Sequence, residues 1–158
     1  MRYWRVAVVP LLLSCGGGCG AVAPSSGAVD FQYTVTKHAG ETFSFEARVT
    51  VDHDVSGVSK ATLASVTLEA VSPAGTSLRF LRALEADTTL NGAHTELVSL
   101  DLPQSASSGP LLVRYRADIK PFFTDGHTMV IDWHGVIDPD VQLPPGGVTI
   151  KLHIVVAT

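Results

Sequence analysis

Apolar and polar residues alternate with a period of two along most of this chain, the signature of strands with one face on a core and one in water. Residues 42–52 show it most clearly: Phe43, Phe45, Ala47, Val49 and Val51 fall on one side, and Thr42, Ser44, Glu46, Arg48, Thr50 and Asp52 on the other. The same alternation runs through Val29, Phe31, Tyr33 and Val35; through Ala64, Val66, Leu68 and Ala70; and through Leu111, Val113, Tyr115, Ala117 and Ile119. It returns at Met129, Ile131, Trp133 and Ile137, and closes the chain in Val148, Ile150, Leu152, Ile154 and Val156. Residues 78–86 are richer in helix formers and predict at most a brief turn around Arg79 to Arg82.

Turn chemistry separates these runs. Ala39-Gly40, Ser56-Gly57, Ser72-Pro73-Ala74-Gly75, Ser105 to Pro110, Asp125-Gly126 and Pro144-Pro145-Gly146-Gly147 lie between apolar stretches. Asn91-Gly92 is the favoured pair for a type I′ hairpin, joining a strand that ends near Leu90 to one that starts near Ala93. About eight strands without alternating helices predict an all-β fold, an antiparallel β-sandwich of immunoglobulin-like or Greek-key architecture. No internal repeat is visible.

The N-terminus follows another pattern. Arg2 and Arg5 precede an apolar run over residues 6–13, then Ser14 and Cys15. That run is far short of the roughly 20 residues needed to span a bilayer, and it reads as a secretory signal. Leu12-Leu13-Ser14-Cys15 resembles the lipobox of bacterial lipoproteins: a leucine three positions before the cysteine and a small residue just before it. Leu13 is bulkier than the residue commonest at its lipobox position. The resemblance implies a diacylglyceryl group on the Cys15 thiol, cleavage before Cys15, acylation of the new amino group, and a membrane partner engaged through the lipid. More than one acyl chain makes such an anchor stable. Gly16 in place of the aspartate that retains many enterobacterial lipoproteins at the inner membrane implies the outer membrane, with the domain facing the periplasm or the cell surface. Cys19, after Gly16-Gly17-Gly18, is a weaker second candidate because no leucine stands at the matching position. The competing reading is an ordinary signal cut near Ala21 or Ala23, which also sends the chain out of the cytoplasm.

Three segments result: a signal peptide over 1–14, a lipidated tether over 15–28, and one β-sandwich domain over 29–158. After Cys15 the tether is Gly, Ala, Ser and Pro with Cys19 and Val22, too little bulk to bury a core. The remaining 130 or so residues suffice for a single core without staples. Both cysteines precede that region, so no disulfide stitches the domain. The net charge of -4 becomes -6 once Arg2 and Arg5 leave with the signal, which argues against a nucleic-acid partner. Arg114, Arg116 and Lys120 form the densest basic cluster, interrupted by Asp118, and read as a solvated face.

Six histidines are many for this length. In Asp132-Trp133-His134 the polar pair shares one strand face at i, i+2, a spacing that suits two ligands of one metal or an acid orienting an imidazole. A metal site there would use Asp132 and His134 with His127 or His153 as a third ligand, making the rival function a periplasmic metal-binding module. The spacing matches no established metal motif, and scattered surface imidazoles need no partner. Asp138-Pro139-Asp140 and Asp125 suit calcium by chemistry but read first as turn caps.

No nucleophile elbow, P-loop or dinucleotide fingerprint is present, so neither catalysis nor a cofactor is expected. Trp133, in register with Ile131 and Met129, reads as core. Phe122 and Phe123 cannot both face inward on a regular strand, which leaves one exposed ring or an irregularity that buries both. The expectation is therefore a membrane-anchored envelope lipoprotein whose sandwich serves binding, adhesion or structure, with a protein or glycan ligand held by loops at one end.

Overall fold

The computed structural model describes residues 26–52, 54–100 and 106–158. Cys15, Cys19, the expected signal segment and most of the expected tether lie outside these residues, as does His53. The described chain forms ten strands: β1 (Ser26–Val35), β2 (Thr42–Thr50), β3 (Thr62–Ser72), β4 (Leu81–Leu90), β5 (Ala93–Ser99), β6 (Ser108–Pro110), β7 (Leu112–Val113), β8 (Phe123–Thr124), β9 (Thr128–Ile137) and β10 (Val148–Ala157). Short 3-10 turns stand at Val55–Gly57, Leu78–Phe80 and Lys120–Phe122.

Two antiparallel sheets pack face to face. One runs β1-β10-β3-β6; the other runs β2-β9-β4-β5-β7, with β8 paired to β9. The sequence pattern predicts about eight strands; β6 forms at Ser108–Pro110, inside a stretch expected as a turn, and β8 is a two-residue addition. The first strand pairs with the last, the second with the next to last, and β1 to β4 alternate between sheets. This is the order of two Greek keys wound into a jelly roll. Immunoglobulin topology places its first two strands side by side in one sheet, which this chain does not do.

The core is the inner face of each strand. All five alternating aliphatics of β10 are buried, and across from them lie Ala47 and Val49 of β2 and Met129, Ile131, Trp133 and Ile137 of β9. Each fully buried aliphatic or aromatic side chain contributes about 1.5–3 kcal/mol. Near one lateral side of the sandwich five rings pack between the sheets with nearly parallel planes. Tyr33 stands 4.3 Å from Phe45, Phe31 5.5 Å from Phe45, and Phe45 5.9 Å from Trp133. The Phe43 ring lies across Gly135, its cross-strand partner, in the space a side chain at 135 would need.

Local chemistry explains where the alternation shifts. Ala64 is exposed while Leu63 and Val66 are both buried, because Ala64 is the extra residue of a bulge opposite Val155 and Val156 of β10. Asn91 and Gly92 adopt positive φ values of 53° and 81°, as a type I′ turn requires, and set Leu90 opposite Ala93. Residues 78–86 do hold only one brief turn, Leu78–Phe80, before β4 begins at Leu81. β1 starts at Ser26, ahead of the expected boundary at 29, since Gly27 and Ala28 pair with Val156 and Val155.

The expected strand through Leu111 to Ile119 shrinks to Leu112 and Val113. In the irregular stretch that follows, Asp118 accepts from the backbone N–H groups of Ala61, at 2.9 Å, and Lys120, at 3.0 Å. Partial burial pushes the Asp118 carboxyl up, but these two donors and the nearby Lys120 and Lys60 outweigh it and hold the group below the usual carboxylate range. The 3-10 turn that follows breaks strand geometry, so Phe122 and Phe123 are both buried and neither forms an exposed contact ring.

The register also defines two ends. Ser26, Ala157 and Thr62 share one end, called here the entry end; Val35, Val148 and Ser72 lie at the far end.

Two stability predictions follow from these contacts. Gly135→Val forces the Phe43 ring out of its place and is expected to cost about 1–3 kcal/mol in urea unfolding. Asp118→Ala is expected to cost about 1–2 kcal/mol by the same measurement. Because the folded carboxyl is depressed, its contribution is present above the unfolded value near pH 4 and fades as pH falls through the folded one. Asp118→Ala should therefore lower stability at neutral pH and weaken its decline in acid.

Candidate functional site

The chemistry anticipated from the sequence centres on Asp132 and His134, and β9 carries both on the outer face of the six-stranded sheet. β9 lies between β2 and β4, so Asp132 faces Glu46 on one side and Asp87 on the other, while His134 faces Ser44 and Glu85. β5 continues the first row with Glu96 opposite Asp87. Glu46, Asp132, Asp87 and Glu96 therefore form one row of carboxylates across four neighbouring strands. Like charges directly opposite one another repel, and this row needs cations around it.

The surrounding side chains supply them. Arg48 Nε meets Glu46 at 2.9 Å, and Arg114 Nε lies 3.7 Å from Glu96. Asp87, the most enclosed of these paired carboxylates, meets two imidazoles with its two oxygens: His94 Nδ1 at 3.2 Å from Oδ1 and His134 Nε2 at 3.3 Å from Oδ2. Thr89 Oγ1 stands 3.2 Å from the same His94 nitrogen. Arg114 also donates to Ser99 Oγ at 2.8 Å, and Lys120 Nζ donates to the Val58 carbonyl. Two members of the basic cluster thus have partners within the fold.

The four residues proposed as metal ligands are not brought together. His153 projects from the four-stranded sheet on the opposite side of the domain, with Nδ1 2.7 Å from Asp30. Partial burial pushes the Asp30 carboxyl up, but hydrogen bonds and charge from His153 and Lys151 outweigh it and hold the group below the usual carboxylate range. His127 sits in the turn before β9, with Nδ1 3.3 Å from the Val51 carbonyl. Five residues of extended chain separate it from Asp132, roughly 17 Å.

His94 and Asp87 are the partners that sequence reasoning missed. The Asn91-Gly92 turn alone sets His94 opposite Thr89, but the approach of His134 depends on β4 lying beside β9. Even so, His94 and His134 reach Asp87 from opposite ends: their rows cross β4 at Thr89 and Glu85, about 13 Å apart along the strand. Among the described residues no group of three histidines, cysteines or carboxylates is arranged to hold a metal. Asp138 accepts from Asp140 N at 2.8 Å, and Asp125 from the His127 and Thr128 amides at 3.2 Å, so these aspartates cap their turns.

Beside the acidic row, toward the far end and the β1–β2 side, an open depression of about 500 Å³ is lined by Tyr33 and Phe43 together with Lys37, Ser44, Glu85 and His134, among others. Two aromatic rings, a cation, a carboxylate and an imidazole contribute to its lining. The arrangement offers hydrogen-bond donors and acceptors, with Ser44 directly across the strand pair from His134.

No protein-family model and no curated protein matches this chain. Among solved structures, a chain of turnip yellow mosaic virus aligns with 98% of this chain and 88% of its own length, at 13% identity and a TM-score of 0.32.

Proposed function

We propose that this chain is an envelope lipoprotein whose sandwich is a non-catalytic module for binding, adhesion or structure. A signal over residues 1–14 is removed, Cys15 carries the acyl chains, and the outer membrane holds the anchor. The carrying observation is Leu12-Leu13-Ser14-Cys15 behind a short apolar run that begins with two arginines. In this reading the acyl chains on Cys15 hold the chain at the bilayer; among the described residues no helix is long and apolar enough to cross a membrane.

The fold is compatible with that attachment. β1 begins at the entry end, only a short stretch of chain after Cys15. An anchor there holds the entry end nearest the bilayer and turns the opposite end outward. The connections over 36–41, 73–77 and 138–147 lie at that far end, and the depression beside His134 opens near it. Loops on a rigid sheet frame are the usual place for recognition, and the mixed polar lining suits a protein or glycan ligand.

The test is fractionation with protease treatment of intact cells. The wild-type chain is expected in the membrane fraction, and Cys15→Ser is expected to leave it. Digestion on intact cells would direct the search to extracellular ligands, and protection until the envelope is opened would direct it to periplasmic ones. A Cys15→Ser chain that stays membrane-bound would overturn the proposal.

A further inference from the structure

The two lateral sides of the sandwich end differently. On one side the edges are β6 and β7, three and two residues long, and Pro110 closes β6 with a residue that has no N–H. Short edges and proline are the devices by which sheets avoid pairing with strangers. On the other side the edges are β1, ten residues, and β2, nine, and neither contains proline or lysine. Both run without a bulge along their inner neighbours, and among the described residues nothing pairs with their outer sides. Between these two open edges stand Phe31, Tyr33 and Phe45, each only partly buried.

The geometry points to a second copy of this chain as the occupant: β1 and β2 each pair antiparallel with their own counterparts across one two-fold axis, extending both sheets. Such an interface requires a strand to be complementary to itself. β2 is: pairing centred on Ala47 sets Glu46 opposite Arg48 of the second copy, twice over, and Phe45 opposite Val49. Opposite charges placed across a strand pair stabilise it. β1 satisfies the same condition when centred on Phe31, which sets Val29 opposite Tyr33 and Asp30 opposite Gln32. Its single charged residue then meets no like charge, and Asp30 is already held by Lys151 and His153 at 2.9 and 2.7 Å.

One axis serves both edges. Tyr33 packs on Phe45, and Gly27 faces Val51, where a Cβ on the glycine would come within 3.3 Å of Val51 Cγ1. β1 and β2 run in opposite directions, and counting inward from both contacts brings Phe31 level with Ala47. The two self-complementary centres therefore coincide, and closing the interface covers the partly exposed rings.

The oligomeric state of the full-length chain carrying Cys15→Ser, with no acyl chain to hold copies together, tests this by sedimentation velocity across a dilution series. A dimer is expected. Arg48→Glu places a carboxylate opposite Glu46 at two symmetric positions and should weaken the dimer about tenfold or more. Adding Glu46→Arg to that variant recreates opposite charges in reversed order and should restore it. Both positions are exposed on the outer face, and circular dichroism with urea unfolding checks that each variant keeps the monomer fold. A monomer at every concentration, a dimer indifferent to Arg48→Glu, or a doubly substituted chain that stays monomeric would overturn the inference. None of these outcomes bears on the lipid anchor.

Discussion

Burial of one apolar face on every long strand is the constraint on which the structure depends, and β10 carries the largest share. Val148, Ile150, Leu152, Ile154 and Val156 are all essentially inaccessible, and β10 is central in its sheet, with β1 on one side and β3 on the other. Five such side chains contribute on the order of 10 kcal/mol, comparable with the net stability of a whole domain. The terminal strand is thus the wall on which the opposite sheet rests, and the first strand enters the fold by pairing with it along its full length. The second sheet meets this wall with aliphatics from β9 and β4 and, toward the open side, with rings. Trp133 completes that packing at the cost of a buried indole N–H that has no hydrogen-bond partner among the described residues.

Much of this was legible because strand periodicity and turn chemistry are local. The inner faces of β1, β2, β9 and β10 and the Asn91-Gly92 hairpin follow from residues adjacent in the chain. What the sequence could not reveal was decided by distant partners. Ala64 belongs to a consistent alternation on paper, yet the register imposed by β10 makes it the bulged residue. The alternation from Leu111 to Ile119 is equally regular, but pairing with β5 covers only Leu112 and Val113, and Asp118 turns instead to two backbone donors of distant and following residues. Choosing between immunoglobulin-like and jelly-roll order depends on which sheet each strand joins, and nothing in a strand's own residues encodes that.

The outer face of the six-stranded sheet repeats the lesson for chemistry. The i, i+2 spacing correctly places Asp132 and His134 on one face, but their environment is set across strands. Four carboxylates fall in one row because Glu46, Asp132, Asp87 and Glu96 share a register, although no window of sequence contains them together. Arginines neutralise the two ends, and imidazoles from two different strands converge on Asp87. Several histidines of this chain therefore act as partners of sheet-bound carboxylates, with the Asp30–His153 pair on the opposite sheet as a separate instance.

A sandwich has four edge strands, and this one treats its two sides unequally. Brevity and Pro110 blunt β6 and β7, whereas β1 and β2 are long, regular and flanked by rings that the protomer only half covers. A sequence under pressure to stay monomeric would place lysine, proline or a bulge on such edges. Here the charges that β2 does carry, Glu46 and Arg48, sit two residues apart on its outer face and bond to each other within the protomer. That spacing leaves no net charge to repel an approaching strand, and in an antiparallel encounter it favours one register, the one in which each charge meets its opposite. The same pair that satisfies itself in the isolated chain thus supplies register specificity to the open side of the fold.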